Sequence, residues 1–434
     1  MFTISIILVF VWLAAMALSL WAVEIARMFA RRIAKARRDL PTTPKNPPSV
    51  ALILPVKGID EDTRHNLTAL LALPYPRLRF LFSVESENDP VLSLLQQITR
   101  DGPGNKAEIV IAGHATTRGQ KIHNQLAAVD LTTSADDILI FMDADAHPSN
   151  ALIPALVAPL KESNVGATTG YRLYVPDNSS LATTQLCIIN SAIGALLGPA
   201  SRNHAWGGAM AITRKNFFDL GVHDAWQNAL SDDYVLSHQV RRVHKKVIQF
   251  SHASFLPSSA AFSWKSFFEF APRQYKITRV CEPGIWAITL IGNILYFLAF
   301  AGLPALYLTS IALGKPDQNL LFMFLALFTV NSIRGYFLYR GCKNAFPAHK
   351  QKFRRIALWF ILGLPLALFV NLLAMLPSAL GRTIHWRGIS YYLVSATKTS
   401  VLRRPVREAG AIPTEPSPRP LRRTPVATSK ISSP

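Results

Sequence analysis

Residues 138–145 read Ile138-Leu139-Ile140-Phe141-Met142-Asp143-Ala144-Asp145. Five apolar residues in a row fit a short strand buried on both faces. Two carboxylates follow it at spacing i, i+2. Ligands of open α/β sheets gather beyond the carboxyl ends of the strands, so this run predicts both a fold and the edge where its chemistry occurs. Outward from it, Val50–Leu54 (VALIL), Arg79–Val84 (RFLFSV), Glu108–Ala112 (EIVIA) and Val165–Thr169 read as further strands. Helical segments separate them. Asp89 can cap one, with Pro90 at its first position, running through Gln97. Another runs from about Asn150 to Glu162. This alternation predicts an α/β domain with a Rossmann-like, mainly parallel sheet covered on both faces. The chain has no G-x-G-x-x-G and no G-x-x-x-x-G-K-[ST], which weakens dinucleotide and P-loop readings.

The flanks of this domain are apolar. Phe2–Val23 carries no charge and is long enough to cross a hydrocarbon core of roughly 30 Å at about 1.5 Å per residue. Basic residues follow it (Arg27, Arg31, Arg32, Lys35, Arg37, Arg38). That order favours a retained anchor over a cleaved signal peptide and puts Arg27 onward in the cytoplasm. Three more apolar blocks, Ile285–Leu313, Leu320–Tyr339 and Ile356–Leu380, lie beyond residue 280. If the last crossed fully, the loop Lys343–Arg355 and the basic tail would lie on opposite sides. The proline-bearing last block is therefore expected to be re-entrant or interfacial. The expected division is a transmembrane anchor (1–25), a basic juxtamembrane segment with a Pro-rich linker (26–49), a cytoplasmic catalytic domain (50–280), a C-terminal membrane region (281–385) with two to three transmembrane helices, and a basic, largely disordered tail (386–434). With 50% hydrophobic residues among 434 the chain is not disordered as a whole, and Lys+Arg 46 against Asp+Glu 26 leaves +20. Cytoplasmic loops facing an anionic membrane surface account for that excess, and no nucleic-acid-binding pattern competes. The three cysteines are widely spaced and suggest neither a disulfide framework nor a zinc site.

Two acidic groups carry the chemistry. Asp143 and Asp145 can share one hard divalent cation, Mg²⁺ or Mn²⁺, which completes its shell with substrate phosphates and water. Ser231-Asp232-Asp233-Tyr234 opens a helix expected over 232–243, with Ser231 as cap. Aspartates there suit the helix dipole. The functional reading makes Asp233 a general base acting on an acceptor hydroxyl. Lys57, after the first strand, and Lys121 can neutralise phosphate.

In this order the pieces resemble glycosyltransferase family 2 with the GT-A fold, and in particular its ceramide glucosyltransferase-like membrane branch. The likeness rests on Pro55-Val56-Lys57-Gly58, on Phe82 to Pro90 (FSVESENDP), on Gly119 to Asn124 (GQKIHN) and on Asp143-Ala144-Asp145. It continues through Trp206-Gly207-Gly208, Asp232-Asp233 and the tail segment Trp386-Arg387-Gly388 with Tyr391. It covers roughly residues 48–280 and the membrane layout. The resemblance implies nucleotide-sugar contacts at Lys57, Glu85, Lys121 and Asp143. It puts Asp232, Arg273, Lys276, Gly207 and Gly208 on the diphosphate or acceptor side. Two departures stand out. Ser86 replaces the usual first aspartate, leaving Glu85 or Glu87 to take its role, with Glu85 favoured. Arg273-Gln274-Tyr275-Lys276-Ile277 is an altered (Q/R)xxRW, with Ile277 at the Trp. The implied enzyme is a multi-pass hexosyltransferase of the cell membrane, catalytic on the cytoplasmic face. It transfers a sugar with inversion from a nucleotide donor, UDP-linked, to a lipid alcohol such as ceramide. The alternatives are a processive polysaccharide synthase and a non-catalytic scaffold that keeps the fold.

Overall fold

The computed structural model describes residues 2–404 apart from 61, 102–105, 199, 201, 202, 244 and 245. Helix α1 (Phe2–Arg38) comes first. The sheet domain starts with β1 (Val50–Pro55), α2 (Thr63–Leu71), β2 (Leu78–Val84), α3 (Val91–Asp101), β3 (Lys106–Ile111), α4 (Gln120–Val129) and β4 (Ile138–Met142). It continues through α5 (Leu152–Val157), β5 (Val165–Pro176), α6 (Leu181–Ala195), β6 (Ala209–Thr213), α7 (Arg214–Asp219), α8 (Val222–Trp226), α9 (Asp232–Arg242) and β7 (Val247–Ala260). The helices α10 (Trp264–Cys281), α11 (Pro283–Ala312), α12 (Gln318–Ala345), α13 (Lys350–Arg355), α14 (Ala357–Leu362) and α15 (Leu364–Met375) follow. Strands β8 (Thr383–Trp386), β9 (Ile389–Ser395) and β10 (Lys398–Arg403) come last.

The seven-stranded sheet has the order β3-β2-β1-β4-β6-β5-β7. Strands β3, β2, β1 and β4 are parallel neighbours, as are β5 and β7, while β6 runs antiparallel between β4 and β5. The expected α/β, mainly parallel architecture is therefore present. Strand β1 illustrates why. Val50, Leu52 and Leu54 enter the core on one face, and Ala51 and Ile53 enter the core on the other. Each fully buried aliphatic side chain contributes roughly 1.5–3 kcal/mol relative to exposure. A strand covered on both faces gains this at successive positions, so it reads as an unbroken apolar run.

Three helices, α1, α11 and α12, are long and apolar enough to cross a membrane. Helix α1 does not end near residue 25 but continues unbroken to Arg38. Its basic half contains no glycine or proline before Pro41, so nothing stops the helix. The block Ile356–Leu380 divides at Gly363 into α14 and α15 and then a 3₁₀ turn, Leu376–Ala379. None of these pieces is of spanning length. The last block therefore differs from α11 and α12, which are of spanning length.

The expectation of disorder from residue 386 is corrected. Strands β8–β10 form an antiparallel sheet. Ile384, Ile389, Tyr391 and Leu393 bury a small core with Leu230 of the catalytic domain. The period-2 spacing of Ile389, Tyr391 and Leu393 turns one face inward, and it outweighs the basic composition. The rest of the expected tail, 405–434, lies outside the described residues.

Candidate active site

The chain leaves β4 into the open edge of the sheet, where the Asp143 amide donates to Gly208 O at 3.1 Å. Lys121, on the first turn of α4, lies behind it. Its Nζ is 2.8 Å from Asp143 Oδ1, 3.1 Å from Asp232 Oδ2, and donates to Gly207 O at 2.8 Å. One buried ammonium thus joins three segments that are distant in sequence. Burial alone would lower its pKa, but the carboxylates of Asp143 and Asp232 outweigh that and raise it. Asp232 is buried and takes a second hydrogen bond from Gln125 Nε2 at 2.8 Å. Desolvation pushes the Asp232 carboxyl up, against the pull of Lys121.

Gly207 is required by a close approach. A Cβ there would lie 2.6 Å from Asp232 Oδ1. Its amide donates to Asp233 Oδ2 at 3.1 Å. Asp233 Oδ1 accepts from the Tyr234 amide at 2.7 Å and from the Ser231 hydroxyl. Ser231 caps α9 as the sequence predicts. Three donors therefore fix the Asp233 side chain, while the single bond recorded to Oδ2 leaves that oxygen a lone pair. The Tyr234 hydroxyl bonds Thr278 Oγ1 of α10 at 2.9 Å. Two turns into α9, His238 meets Glu282 Oε1 at 2.9 Å, and His204 meets the same oxygen at 2.7 Å. Glu282 immediately precedes α11, so α9 is fastened to the start of a helix long and apolar enough to cross a membrane.

On the other flank, the Lys57 ammonium pairs with Glu85 Oε2 at 2.7 Å. Glu85 Oε1 faces His114 Nδ1 at 3.0 Å and Arg404 at 3.3 Å. Burial would raise the Glu85 pKa, but the Lys57 hydrogen bond and neighbouring positive charges lower it. The adjacent Gly58 amide donates to Asp89 Oδ1 at 3.0 Å, stapling the β1 and β2 loops together. Of the two glutamates left open by Ser86, Glu85 is the one with these partners.

Arg273 donates to His385 O and Lys276 to Thr383 O, each at 3.3 Å. Burial and the nearby Arg279 lower the Lys276 pKa. These cations clamp β8 onto α10. Conversely, the sequence reading missed Arg172 of β5, whose Nη2 lies 3.0 Å from Asp145 Oδ1 and 3.5 Å from Asp143 Oδ2. Arg172 lowers the Asp145 pKa against the effect of burial. Its signal was a lone arginine inside the otherwise uncharged run 165–176. The C-terminal sheet was missed as well. Tyr391 OH accepts from the Gln120 amide at 3.3 Å, and the Thr399 amide donates to Asn228 O at 2.8 Å. The sheet thus touches both the start of α4 and the loop before Asp232.

The donor set at Asp143 and Asp145 fits a hard divalent cation. Both are carboxylates on one loop, and their side chains remain 31% and 38% exposed toward the cleft. No cluster of three or more possible metal-ligating side chains exists among the described residues. Two protein oxygens, with phosphate and water completing the shell, is the pattern Mg²⁺ commonly adopts. Arg172 and Lys121 supply the positive charge at these oxygens in this structure.

Comparison with known proteins gives the site its context. Ceramide glucosyltransferase 1 of Caenorhabditis elegans is 26% identical over 81 residues, 19% of this chain and 17% of that protein. The chain is thus matched to less than a fifth of that curated relative's length. Among solved structures, a mannosyltransferase from Pyrobaculum calidifontis in complex with GDP-Man and Mn²⁺ is 15% identical, with a TM-score of 0.43 over 84% of this chain and 99% of that one. A glucosyl-3-phosphoglycerate synthase from Mycobacterium tuberculosis in complex with Mn²⁺ and UDP-glucose is 12% identical, with a TM-score of 0.33 over 54% of this chain and 79% of that one. The model of glycosyl transferase family 21 matches residues 6–399. The chain belongs to that family.

Proposed function

We propose that this enzyme moves a sugar from a UDP-linked donor to a lipid alcohol such as ceramide, with inversion, at the cytoplasmic face of the cell membrane. The observation that carries the reading is the single hydrogen-bonded unit of Asp143, Lys121, Gly207, Asp232 and Asp233. Such a unit holds a donor-binding carboxylate and a candidate base in one rigid frame.

In this mechanism the donor lies along the β1, β2 and β4 edge, with Glu85 and Lys57 toward its nucleoside. Asp143 and Asp145 would hold a divalent cation, which supplies stabilisation of negative charge on the leaving diphosphate. Lys121 keeps Asp143 and Asp232 in register and adds a positive field at the same place. Asp233 accepts the acceptor's hydroxyl proton at Oδ2 as that oxygen attacks the anomeric carbon opposite the leaving group. A single displacement of this kind inverts the centre and leaves no sugar on the protein. The acceptor approaches from the bilayer side. There α9 is tied to α10 and α11, and Trp264, Phe268 and Ile285 are exposed.

The test uses full-length protein in lipid nanodiscs with UDP-sugars and ceramide, and reads products by mass spectrometry and NMR. One sugar per lipid with inverted configuration is expected. A ladder of chain lengths, or retention, would overturn the reading. Asp233→Asn should lower turnover by about 10²- to 10⁴-fold with donor binding kept. Wild-type turnover in that variant would remove Asp233 as base.

A further inference from the structure

The tip of the β8–β9 hairpin is unusual. Trp386 pairs with Ile389, so the loop between them is the two residues Arg387 and Gly388. Both have positive φ, 46° and 80°. Two left-handed residues in a two-residue hairpin make a type I′ turn, for which Asn-Gly is the favoured sequence. Gly388 fits. Arg387 does not, and it is the single non-glycine residue with positive φ among the described residues. A β-carbon in that conformation is strained, and strain kept in a fold points toward what the side chain does.

The side chain reaches the donor edge. Arg387 Nη1 donates to Lys57 O at 3.4 Å, and its charge acts on Asp145. The guanidinium therefore lies against the loop after β1, within electrostatic reach of Asp145 in the loop after β4. The other cations there are committed: Lys57 to Glu85, Lys121 to Asp143 and Asp232, Arg172 to Asp145. Arg273 and Lys276 donate to backbone carbonyls of β8. Arg387 forms no recorded ion pair with a carboxylate among the described residues and is exposed. A guanidinium has five N–H donors in a planar fork that matches phosphate oxygens, and the Lys57 contact uses one.

We propose that Arg387 contacts the donor diphosphate, so that the C-terminal sheet forms one wall of the donor site. This rests on the nucleotide-sugar reading given above. The arginine role expected on α10 is filled from the hairpin tip. Arg273 and Lys276 act at one remove, by holding β8 in place.

The test is calorimetry on the full-length protein in nanodiscs with Mn²⁺, using UDP and, by competition, uridine as probes. Arg387→Asn gives the turn its preferred residue and should melt no lower than wild type. It should bind UDP about tenfold or more weakly, with uridine affinity unchanged within about twofold. Arg387→Gln keeps the wild-type strain and should show the same selective loss, while Arg387→Lys should recover part of it. Unchanged UDP affinity in the Asn and Gln variants would overturn the inference, as would equal losses for UDP and uridine. If wild type binds neither UDP nor GDP, the nucleotide-sugar reading falls first and this proposal falls with it.

Discussion

Two charged assemblies share the open edge of the sheet, and they are built in opposite ways. The Asp143–Lys121–Asp232 assembly belongs wholly to the catalytic domain. Its lysine and Asp232 side chains are only 16% and 8% exposed, and Gly207 lets backbone and carboxylate pack without a gap. The rim of Lys57, Glu85, His114, Arg387 and Arg404 joins residues about three hundred positions apart, and His114 is 59% exposed. Removing one partner from the first strands a buried charge. In the second the carboxylate of Glu85 is also buried, with its side chain 11% exposed, but several cations share it, so removing one exposed partner such as His114 leaves the charge still paired. The first can therefore serve as a fixed frame, and the second as a surface that exchanges partners when a donor arrives.

The largest expected effect tests the frame. Asp145→Ala removes one of two candidate cation ligands and leaves Arg172 with Asp143 alone. Metal-dependent nucleotide binding should weaken by at least about a hundredfold, because even partners behind a metal ligand cost 10- to 100-fold when removed. Unchanged affinity by calorimetry with Mn²⁺ would end the ligand assignment. Next comes Gly207→Ala. Its methyl would meet the Asp232 carboxylate, so either the backbone or the acid must shift. Stability should fall by about 1–3 kcal/mol, and turnover by about tenfold to a hundredfold through misplaced groups. Normal kinetics would mean that this part of the frame is softer than the rim.

The smallest effect concerns the rim and acid. The Glu85 pKa is lowered below its ordinary 4.5 in the folded chain. Its stabilising contribution is therefore fully present above about pH 4.5 and is lost as pH falls through the lower folded value. The difference in melting temperature between wild type and Glu85→Gln should stay constant from pH 7 to about 5 and shrink only in stronger acid. A difference that vanishes near pH 6 would show that the carboxyl is not held by Lys57 and Arg404.

The same contrast explains what could be read from the sequence. Asp143 and Asp145 directly follow five apolar residues, and Ser231 caps the helix that Asp232 begins. Those relations are local, so spacing and residue type expose them. Arg172 reaches Asp145 across β6, a relation set by strand order that no short window contains. The inward face Ile389, Tyr391, Leu393 was present as alternation, but its acidic-poor, arginine-rich surroundings masked it. The contacts of Arg273 and Lys276 with β8 were also out of reach of a local window, because that strand lies about a hundred residues downstream.

The fastening of α9 at Glu282 has a geometric consequence. Asp233 lies in the first turn of a helix whose later turn is bonded to the residue just before α11. On the proposed reading, with α11 in the bilayer and a lipid acceptor, the height of that carboxylate above the lipid plane is a built-in ruler. Acceptors would then be sorted by how far their hydroxyl stands proud of the acyl chains, before any contact with the sugar they accept.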